Sequence, residues 1–192
     1  MLTYHRGSVQ PHCNRTRPDT IEDMQLLSQI TTRLRLHSSE CNQTALVLEA
    51  IKRTKTSLKV CPGIYLVDVD EAGYQRQKPA LQPALQTYGT DNILGITVGN
   101  EVTLNYMLDR KATNINGTDG LAASALLKGN LTNIRQMLKS VNINLPISTA
   151  DAASYFNLDL LGALDFGCAF IIPPRLITKV TDQFNFRFAH PA

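Results

Sequence analysis

The chain has 192 residues, of which 43% are hydrophobic and 18% are charged, a composition typical of a globular protein with one sizeable core. Its net charge is +3, and its lysines and arginines are scattered, which argues against a nucleic-acid-binding surface or a polybasic membrane surface. No apolar stretch approaches the roughly 18 residues of a membrane-spanning helix. The opening MLTYHRGSVQ lacks the apolar core of a signal peptide, which leaves two alternatives, a cytosolic protein or an export signal that is not in this chain.

Strand-like and helix-like segments alternate along the chain. The strand-like segments are apolar runs bounded by turn residues. They are predicted at 2–4, 33–38, 57–68, 93–98, 144–152 and 163–172. The helix-like segments repeat apolar residues every three or four positions. They are predicted at 20–32, 42–55, 72–88, 120–141 and, as a short helix, 155–161.

Two of these segments carry more specific expectations. The first helix has a candidate capping pair, Thr20 and Asp23. The third strand contains Pro62–Gly63, which must lie at a bend or an edge because proline has no amide hydrogen. No linker or low-complexity segment interrupts the series, so we expect one domain over residues 1–192. The apolar face of the first helix is formed by Ile21, Met24, Leu27 and Ile30.

Alternation of this kind predicts parallel strands joined by crossover helices. An open doubly wound sheet and a closed (β/α)8 barrel both fit, but the glycine-rich loop that marks nucleotide-binding open sheets is missing. Polar residues instead follow the strands, and in a barrel these ends converge on one pocket. We therefore expect an α/β TIM-barrel type with about six of eight β/α units, since a typical barrel has roughly 250 residues. The polar strand ends are His37–Ser38, Asp68, Asn100–Glu101 and Ser148–Asp151.

The four cysteines fall into two kinds of context. Cys13 and Cys41 lie in polar segments, whereas Cys61 and Cys168 lie in apolar runs. These contexts favour a Cys13–Cys41 disulfide and two buried thiols, with four free thiols as the alternative. No pair has CxxC spacing and the four histidines are dispersed, so we expect no metal site and no cofactor.

The sequence contains four Asn-x-Thr triplets, the acceptor pattern for N-glycosylation, which weakly favours a secreted protein. They begin at Asn14, Asn42, Asn116 and Asn130.

The segment NILGITVGNEVTLNY, residues 92–106, ends an apolar run with an amide and a carboxylate. Glu101 would emerge at the carboxyl end of strand four, backed by Ile96 and Val98. Partial desolvation there raises the pKa of a carboxyl group, which suits a general acid. Asn100 offers a donor and an acceptor to a substrate hydroxyl. The alternative is a solvated loop charge or a residue beside a helix N-terminus.

Three stretches together resemble the fungal branch of glycoside hydrolase family 17, over most of residues 2–168 and in one collinear order. They are DMQLLSQITTRLRLHSSECNQTALVLEAIKRTK, LQTYGTDNILGITVGNEVTLNYM and LPISTADAASYF. Members of that family are secreted or cell-wall β-1,3-glucan hydrolases and glucanosyltransferases on a (β/α)8 barrel. The resemblance implies that Glu101 is the acid/base of a retaining mechanism and that Asn100 contacts the sugar 2-hydroxyl. The Glu40-Cys41-Asn42 element matches a family Asp-Cys-Asn stretch and supports the Cys13–Cys41 pairing.

The chain also departs from the family pattern. Retaining hydrolysis needs a second carboxylate roughly 5–5.5 Å from the first, which the family supplies as a glutamate after strand seven, yet no glutamate follows Glu101. Asp151 and Asp165 are weak substitutes for this nucleophile. A family tyrosine is replaced by His37, and the likeness decays after about residue 168, which suggests a divergent or truncated C-terminal part and a gene model shortened at both ends. Missing strands would expose sheet edges that favour self-association.

Two functional hypotheses follow from the resemblance. The first is a β-1,3-glucan hydrolase or transglycosylase, extracellular or in the cell wall, with Glu101 as proton donor. The second is a catalytically inactive relative that at most binds β-glucan, since the nucleophile is absent. Further candidate contacts to the polysaccharide are His37, Asp151, Tyr65 and Tyr106, with Tyr4 and Tyr155 as additional stacking surfaces.

Overall fold

A computed structural model describes residues 1–4, 13, 16–66 and 71–170. Within these ranges the predicted strand and helix regions occur in the expected order. The strands are β1 (Leu2–Tyr4), β2 (Arg33–Leu36), β3 (Lys59–Cys61), β4 (Gly63–Ile64), β5 (Ile96–Asn100), β6 (Ile147–Ala152) and β7 (Ala169–Phe170). The helices are α1 (Arg17–Ser28), α2 (Gln43–Thr54), α3 (Glu71–Tyr88), α4 (Val102–Asp109), α5 (Thr118–Ser140) and α6 (Leu158–Leu161), with 3-10 turns at Glu40–Asn42 and Ala153–Tyr155.

All the strand pairs among these residues are parallel and follow chain order, in two groups, β1-β2-β3 and β4-β5-β6-β7. The groups meet at Pro62, which separates β3 from β4, as the sequence predicted for a proline without an amide hydrogen. They remain connected, because Val60 of β3 bridges to Ile93 just before β5. The expectation of an α/β fold with parallel strands is thus confirmed.

The strands wrap around an interior rather than forming a flat sheet. Met1, just before β1, packs against Ala150 of β6 and Cys168 beside β7, although β1 and β7 lie at opposite ends of the strand order. Alternate residues on the outer side face the helices and form two apolar cores. One core lies under α1 and α2 and includes Met24, Leu34, Leu36, Val47 and Ile51. The other lies under α3 and α5 and includes Leu81, Ile96, Val98, Leu127 and Ile134.

The first helix differs from its prediction at both ends. It begins after Thr16, whose side chain accepts from the amide of Asp19 while the Asp19 carboxylate accepts from the amide of Thr16, so the capping box is Thr16–Asp19 and not Thr20–Asp23. It ends at Ser28, which leaves Ile30 outside the helix and 70% exposed rather than on the buried face.

The sequence did not predict α4, which occupies the polar-looking stretch after Glu101. The structure contains the Cys13–Cys41 disulfide, with Cα atoms 5.2 Å apart. Cys61 and Cys168 are free and buried, as expected. Asp68 and the tail from residue 171 lie outside the described residues, so the predictions made for them, together with edge-mediated self-association and the single domain over 1–192, remain predictions.

Candidate active site

The carboxyl ends of β4, β5 and β6 lie side by side because these strands are parallel neighbours. The end of β2 lies against β4, where Gly63 closely approaches the carbonyls of Leu36 and His37. Four sequence-predicted site residues follow or end these strands: His37, Tyr65, Glu101 and Asp151. The fold therefore brings them to one edge of the strand series. This is the edge that carries active sites in parallel α/β barrels.

A β-bulge aims the residues at the end of β5. Thr97 pairs with Ser148 and Asn100 with Ala150, so three steps along β5 match two along β6. Gly99 absorbs the extra residue at φ +86°, a conformation that L side chains rarely adopt. Strand alternation restarts after the bulge, so Asn100 lies on the same side of the sheet as Thr97.

The backbone of Glu101 is held on both sides. Its amide donates to the carbonyl of Ala150 at 2.7 Å, and its carbonyl accepts from the amide of Asn105 at 3.0 Å. Its own φ is 55°, in the left-handed region, and it is the N-cap residue of α4 although its side chain makes no capping bond. Such backbone strain typically costs about 1–3 kcal/mol and is common at functional sites. The half-buried carboxylate is therefore presented by a fixed backbone, in the strand-end position that the sequence indicated.

Arg35 orients the neighbouring amide and was missed by the sequence reasoning. Its side chain is 1% exposed and crosses the strand interior, where Nη2 donates to Asn100 Oδ1 at 3.1 Å and Nε to Thr97 Oγ1 at 3.4 Å. Because the guanidinium only donates, it fixes the oxygen side of the Asn100 amide. The other side, Nδ2, then points to Glu101 Oε2 at 3.5 Å. The positive charge of Arg35 thus controls how Asn100 faces Glu101.

Asp151 connects β6 to α4, the helix that follows Glu101. Its Oδ2 accepts from the amides of Thr103 at 2.9 Å and Leu104 at 3.3 Å, and its Oδ1 accepts from the amide of Ala152. The carboxylate thus caps the N-terminus of α4 from another strand, where the helix dipole favours a negative charge. Burial nevertheless dominates and raises the pKa of Asp151 to about 6.

Asp151→Asn should remove a pH dependence of stability. Because the pKa of Asp151 rises from 3.8 to about 6 on folding, its protonation stabilises the native state fully below about pH 4, and that contribution is lost as the pH rises through about 6. The free energy of unfolding of the wild type should fall by a total of the order of 3 kcal/mol over this pH range, at about 1.36 kcal/mol per pKa unit. Urea unfolding between pH 4 and 7 should show the wild type losing stability relative to the variant.

The control for this measurement is Asp159→Asn, on an aspartate whose side chain is 43% exposed in a surface ion pair with Lys128. It should leave the shape of the stability profile unchanged. Parallel pH profiles for wild type and Asp151→Asn would show that Asp151 titrates alike in the folded and unfolded chain.

His37 and Tyr65 form a ring pair at this edge. Their centroids lie 4.8 Å apart at an interplanar angle of 34°, and both side chains are half-buried. The buried Gln77 of α3 supports this pair, because its Oε1 accepts from the amide of Tyr65 at 2.7 Å and from the Ser38 hydroxyl at 2.9 Å. Its Nε2 donates to the carbonyl of Tyr65 at 2.8 Å. Sequence periodicity indicated only a weak helix around Gln77 and did not identify this role.

The other aromatic candidates occupy different surroundings. Tyr106 lies on α4, with the guanidinium of Arg110 stacked 3.5 Å from its ring centre. Tyr4 is buried in the outer core and donates to Asp23 at 2.6 Å, so it serves packing rather than the strand-end edge. Tyr155 is half-buried in the 3-10 turn after β6.

Asp165 lies at the opposite edge of the strands. Its Oδ2 accepts from the amide of Ile147, the first residue of β6, and pairs with Arg135 at 2.9 Å. The alternative that Asp165 supplies the nucleophile is therefore wrong, because strand β6 separates it from Glu101. A cavity of about 750 Å³ also lies at this opposite edge, lined by the end of α5, residues 142–147 and Asp165. Apart from Asp165, it contains none of the predicted site residues.

The described part of the chain contains no group of three or more His, Cys, Asp or Glu side chains that could hold a metal ion. Burial raises the pKa of the Cys61 thiol to about 12, so this cysteine is neutral rather than a reactive thiolate. Across the same ranges, every helix is too short or too polar to serve as a bilayer-crossing segment.

The model of the BtgE/BtgC glycoside hydrolase domain matches residues 2–173. The chain belongs to this family. A glucan endo-1,3-β-glucosidase btgC of Aspergillus terreus, described as probable, is 31% identical over 172 residues, and the putative btgC enzyme of Aspergillus niger is 30% identical over the same length. Each alignment covers 87% of this chain but only about a quarter of the relative, 25% and 24% respectively.

Solved structures show the same fold. The crystal structure of a glycoside hydrolase family 17 β-1,3-glucanosyltransferase from Rhizomucor miehei has a TM-score of 0.61 and 22% identity, and the match covers 86% of this chain and 54% of that one. An active-site mutant of that enzyme in complex with laminaritriose matches equally well. The resemblance to fungal glycoside hydrolase family 17 is thereby confirmed.

Proposed function

We propose that this BtgE/BtgC-family chain acts on β-1,3-glucan of the fungal cell wall, outside the cell, with Glu101 as the general acid/base of a retaining glycosidase or transglycosylase. The observation that best supports this proposal is the position of Glu101 at the end of a strand, beside Asn100 and on the same edge as the His37–Tyr65 ring pair. The homologous Aspergillus enzymes are named for β-1,3-glucan, which supports this substrate.

The geometry suits proton donation to a glycosidic oxygen. A general acid contributes about 10²–10⁴-fold when it is positioned within hydrogen-bond reach of the reacting atom. The bulge, the bond to Ala150 and the cap supplied by Asp151 position Glu101. Asn100, held by Arg35, can present its amide to a sugar hydroxyl, and the rings of His37 and Tyr65 offer an apolar surface to a pyranose face.

The second candidate, glucan binding without turnover, is favoured by one observation. No glutamate follows Glu101 in the sequence, while Asp151 uses both of its oxygens to accept backbone hydrogen bonds. Neither aspartate weighed as a substitute nucleophile therefore fits that role, since Asp165 lies at the opposite edge of the strands. In this case the (β/α)8 fold would position Glu101, one of the two carboxylates that retaining hydrolysis needs, and the residues that contact the sugar.

Laminarin separates these candidates. The purified chain should bind laminarin saturably and bind β-1,4-linked carboxymethylcellulose much more weakly. If both catalytic carboxylates are present, it should also release reducing ends from laminarin. Turnover of an activated aryl glucoside that appears only when azide is added would indicate an intact site without its nucleophile. Products longer than the starting oligosaccharide would select the transferase. Absence of both binding and turnover would rule out the proposal.

A further inference from the structure

The turn between α4 and α5 carries one of the four Asn-x-Thr triplets, Asn116-Gly117-Thr118. Asn116 and Thr118 are both exposed, and Gly117 is extended at φ −81° and ψ −177°. Within the described residues, no hydrogen bond holds the side-chain amide of Asn116 or the hydroxyl of Thr118. The backbone around them is well anchored, since Asn114 accepts from the amides of Asn116 and Gly117 at 3.0 and 2.9 Å. Both groups of the triplet are therefore presented to solvent on an ordered turn.

The two other described triplets differ from this arrangement. In the Asn42 triplet, Thr44 is 1% exposed and its hydroxyl lies 3.1 Å from that of Ser39. In the Asn130 triplet, both side chains bond to the backbone of α5, with Asn130 Nδ2 donating to Leu126 and Thr132 Oγ1 to Lys128. In the folded chain, the asparagine side-chain amide or the threonine hydroxyl of each of these triplets, or both, is therefore hydrogen-bonded within the protein. The Asn14 triplet begins outside the described residues.

We propose that Asn116 is an N-glycosylation site that remains accessible in the folded protein, whereas Asn42 and Asn130 can be modified only before folding. The donor is a lipid-linked oligosaccharide pyrophosphate. Asn116 Nδ2 forms a bond to C1 of the first sugar, the C1–O bond to pyrophosphate breaks, the lipid pyrophosphate leaves and the amide loses one proton. A glycan is bulky and hydrophilic, and it is tolerated at an exposed turn.

The position has a consequence for the candidate active site. Helix α5 begins at Thr118 and runs back toward the start of β6, so the turn that precedes it lies on the side of the strand carboxyl ends. Ile115, one residue before Asn116, is bonded through its carbonyl to Asn157 in the segment after β6. A glycan on Asn116 would therefore stand on the same side of the molecule as Glu101.

An acceptor assay on the folded chain tests this assignment. The chain is made unglycosylated in a bacterium with Asn14→Gln, then incubated with a purified oligosaccharyltransferase and a lipid-linked oligosaccharide. Synthetic peptides of the three triplets report the unfolded rates, and peptide mass mapping measures each site. The native-to-peptide rate ratio should be near one for Asn116. It should be at least about tenfold lower for Asn42 and Asn130, because about 1.4 kcal/mol of local opening free energy already gives this factor.

Matched variants complete the design. Thr118→Ala should abolish modification at Asn116, Thr118→Ser should retain it, and Thr132→Ala should leave it unchanged. Equal ratios at all three sites, or an unmodified Asn116 in the native chain, would overturn the proposal. The extracellular location proposed above gives this modification its cellular setting, whereas the purified assay depends on neither that location nor glucan activity, so the two proposals can fail separately.

Discussion

Glu101→Gln should lower laminarin turnover by about 10²–10⁴-fold, the usual contribution of general acid–base catalysis, while laminarin binding stays close to that of the wild type. Glutamine keeps the size of the side chain and can still accept from Asn100, but it cannot donate a proton to the leaving oxygen. Reducing-end release and equilibrium binding, measured on the same preparations, give the two quantities.

The leaving group separates proton donation from mere positioning. An aryl glucoside with a dinitrophenolate leaving group needs little protonation in the first, bond-breaking step, so its kcat/KM should suffer much less from Glu101→Gln than the kcat/KM for laminarin. Glu22→Gln makes the same chemical change on the exposed surface of α1 and should affect neither substrate. Unchanged laminarin turnover in Glu101→Gln would exclude Glu101 as the acid, and equal losses on both substrates would assign it a positioning role.

Gly63→Ala should destabilise the fold by about 3 kcal/mol or more, at or above the usual range for overpacking a core. A Cβ at residue 63 would lie 2.7 Å from the carbonyl oxygen of His37 and still closer to that of Leu36, and both neighbours are backbone atoms that cannot rotate away. The Gly63 carbonyl also accepts from the Ser39 hydroxyl at 2.8 Å, so displacement of β4 would disturb the loop after β2. Urea unfolding followed by circular dichroism measures the change.

Gly129→Ala is the matched control for this substitution. Gly129 lies within α5, and a Cβ there would meet no atom within 4 Å. Alanine should therefore stabilise the protein by about 0.5–1 kcal/mol through its better helix propensity. If Gly63→Ala were as well tolerated as Gly129→Ala, the close approach of β4 to the end of β2 would not exist in solution. Reduced laminarin binding by a folded Gly63→Ala protein would further connect this contact to the His37–Tyr65 pair.

Local patterns in the sequence predicted most of the elements that the structure contains. Apolar periodicity located α2 and α5, and the apolar run before Asn100 located β5. The break at Pro62 followed from the missing amide hydrogen of proline. The strand-end position of Glu101 followed from the run and the polar pair after it. These features depend on neighbouring residues alone, so a single sequence suffices to find them.

The features that were missed depend on contacts between distant residues. Helix α4 starts with β-branched residues and has no local cap, because its capping carboxylate comes from Asp151 on another strand. Arg33 and Arg35 alternate with leucines, a pattern typical of a strand with one solvent face, yet Arg33 is exposed and Arg35 is buried in the interior. The polar role of Gln77 likewise appears only when α3 packs against the ends of β2 and β4.

The extra residue at Gly99 matters for anyone who transplants this segment into a designed scaffold. A count of alternate positions from Thr97 assigns Asn100 to the outer, helix-covered surface, whereas the irregular register points it inward. Deleting Gly99 would make the strand regular and leave every other amino acid unchanged. It would nevertheless shift Glu101 by one residue relative to β6. A graft of this carboxylate must therefore copy the irregular spacing of the donor backbone together with the side chains.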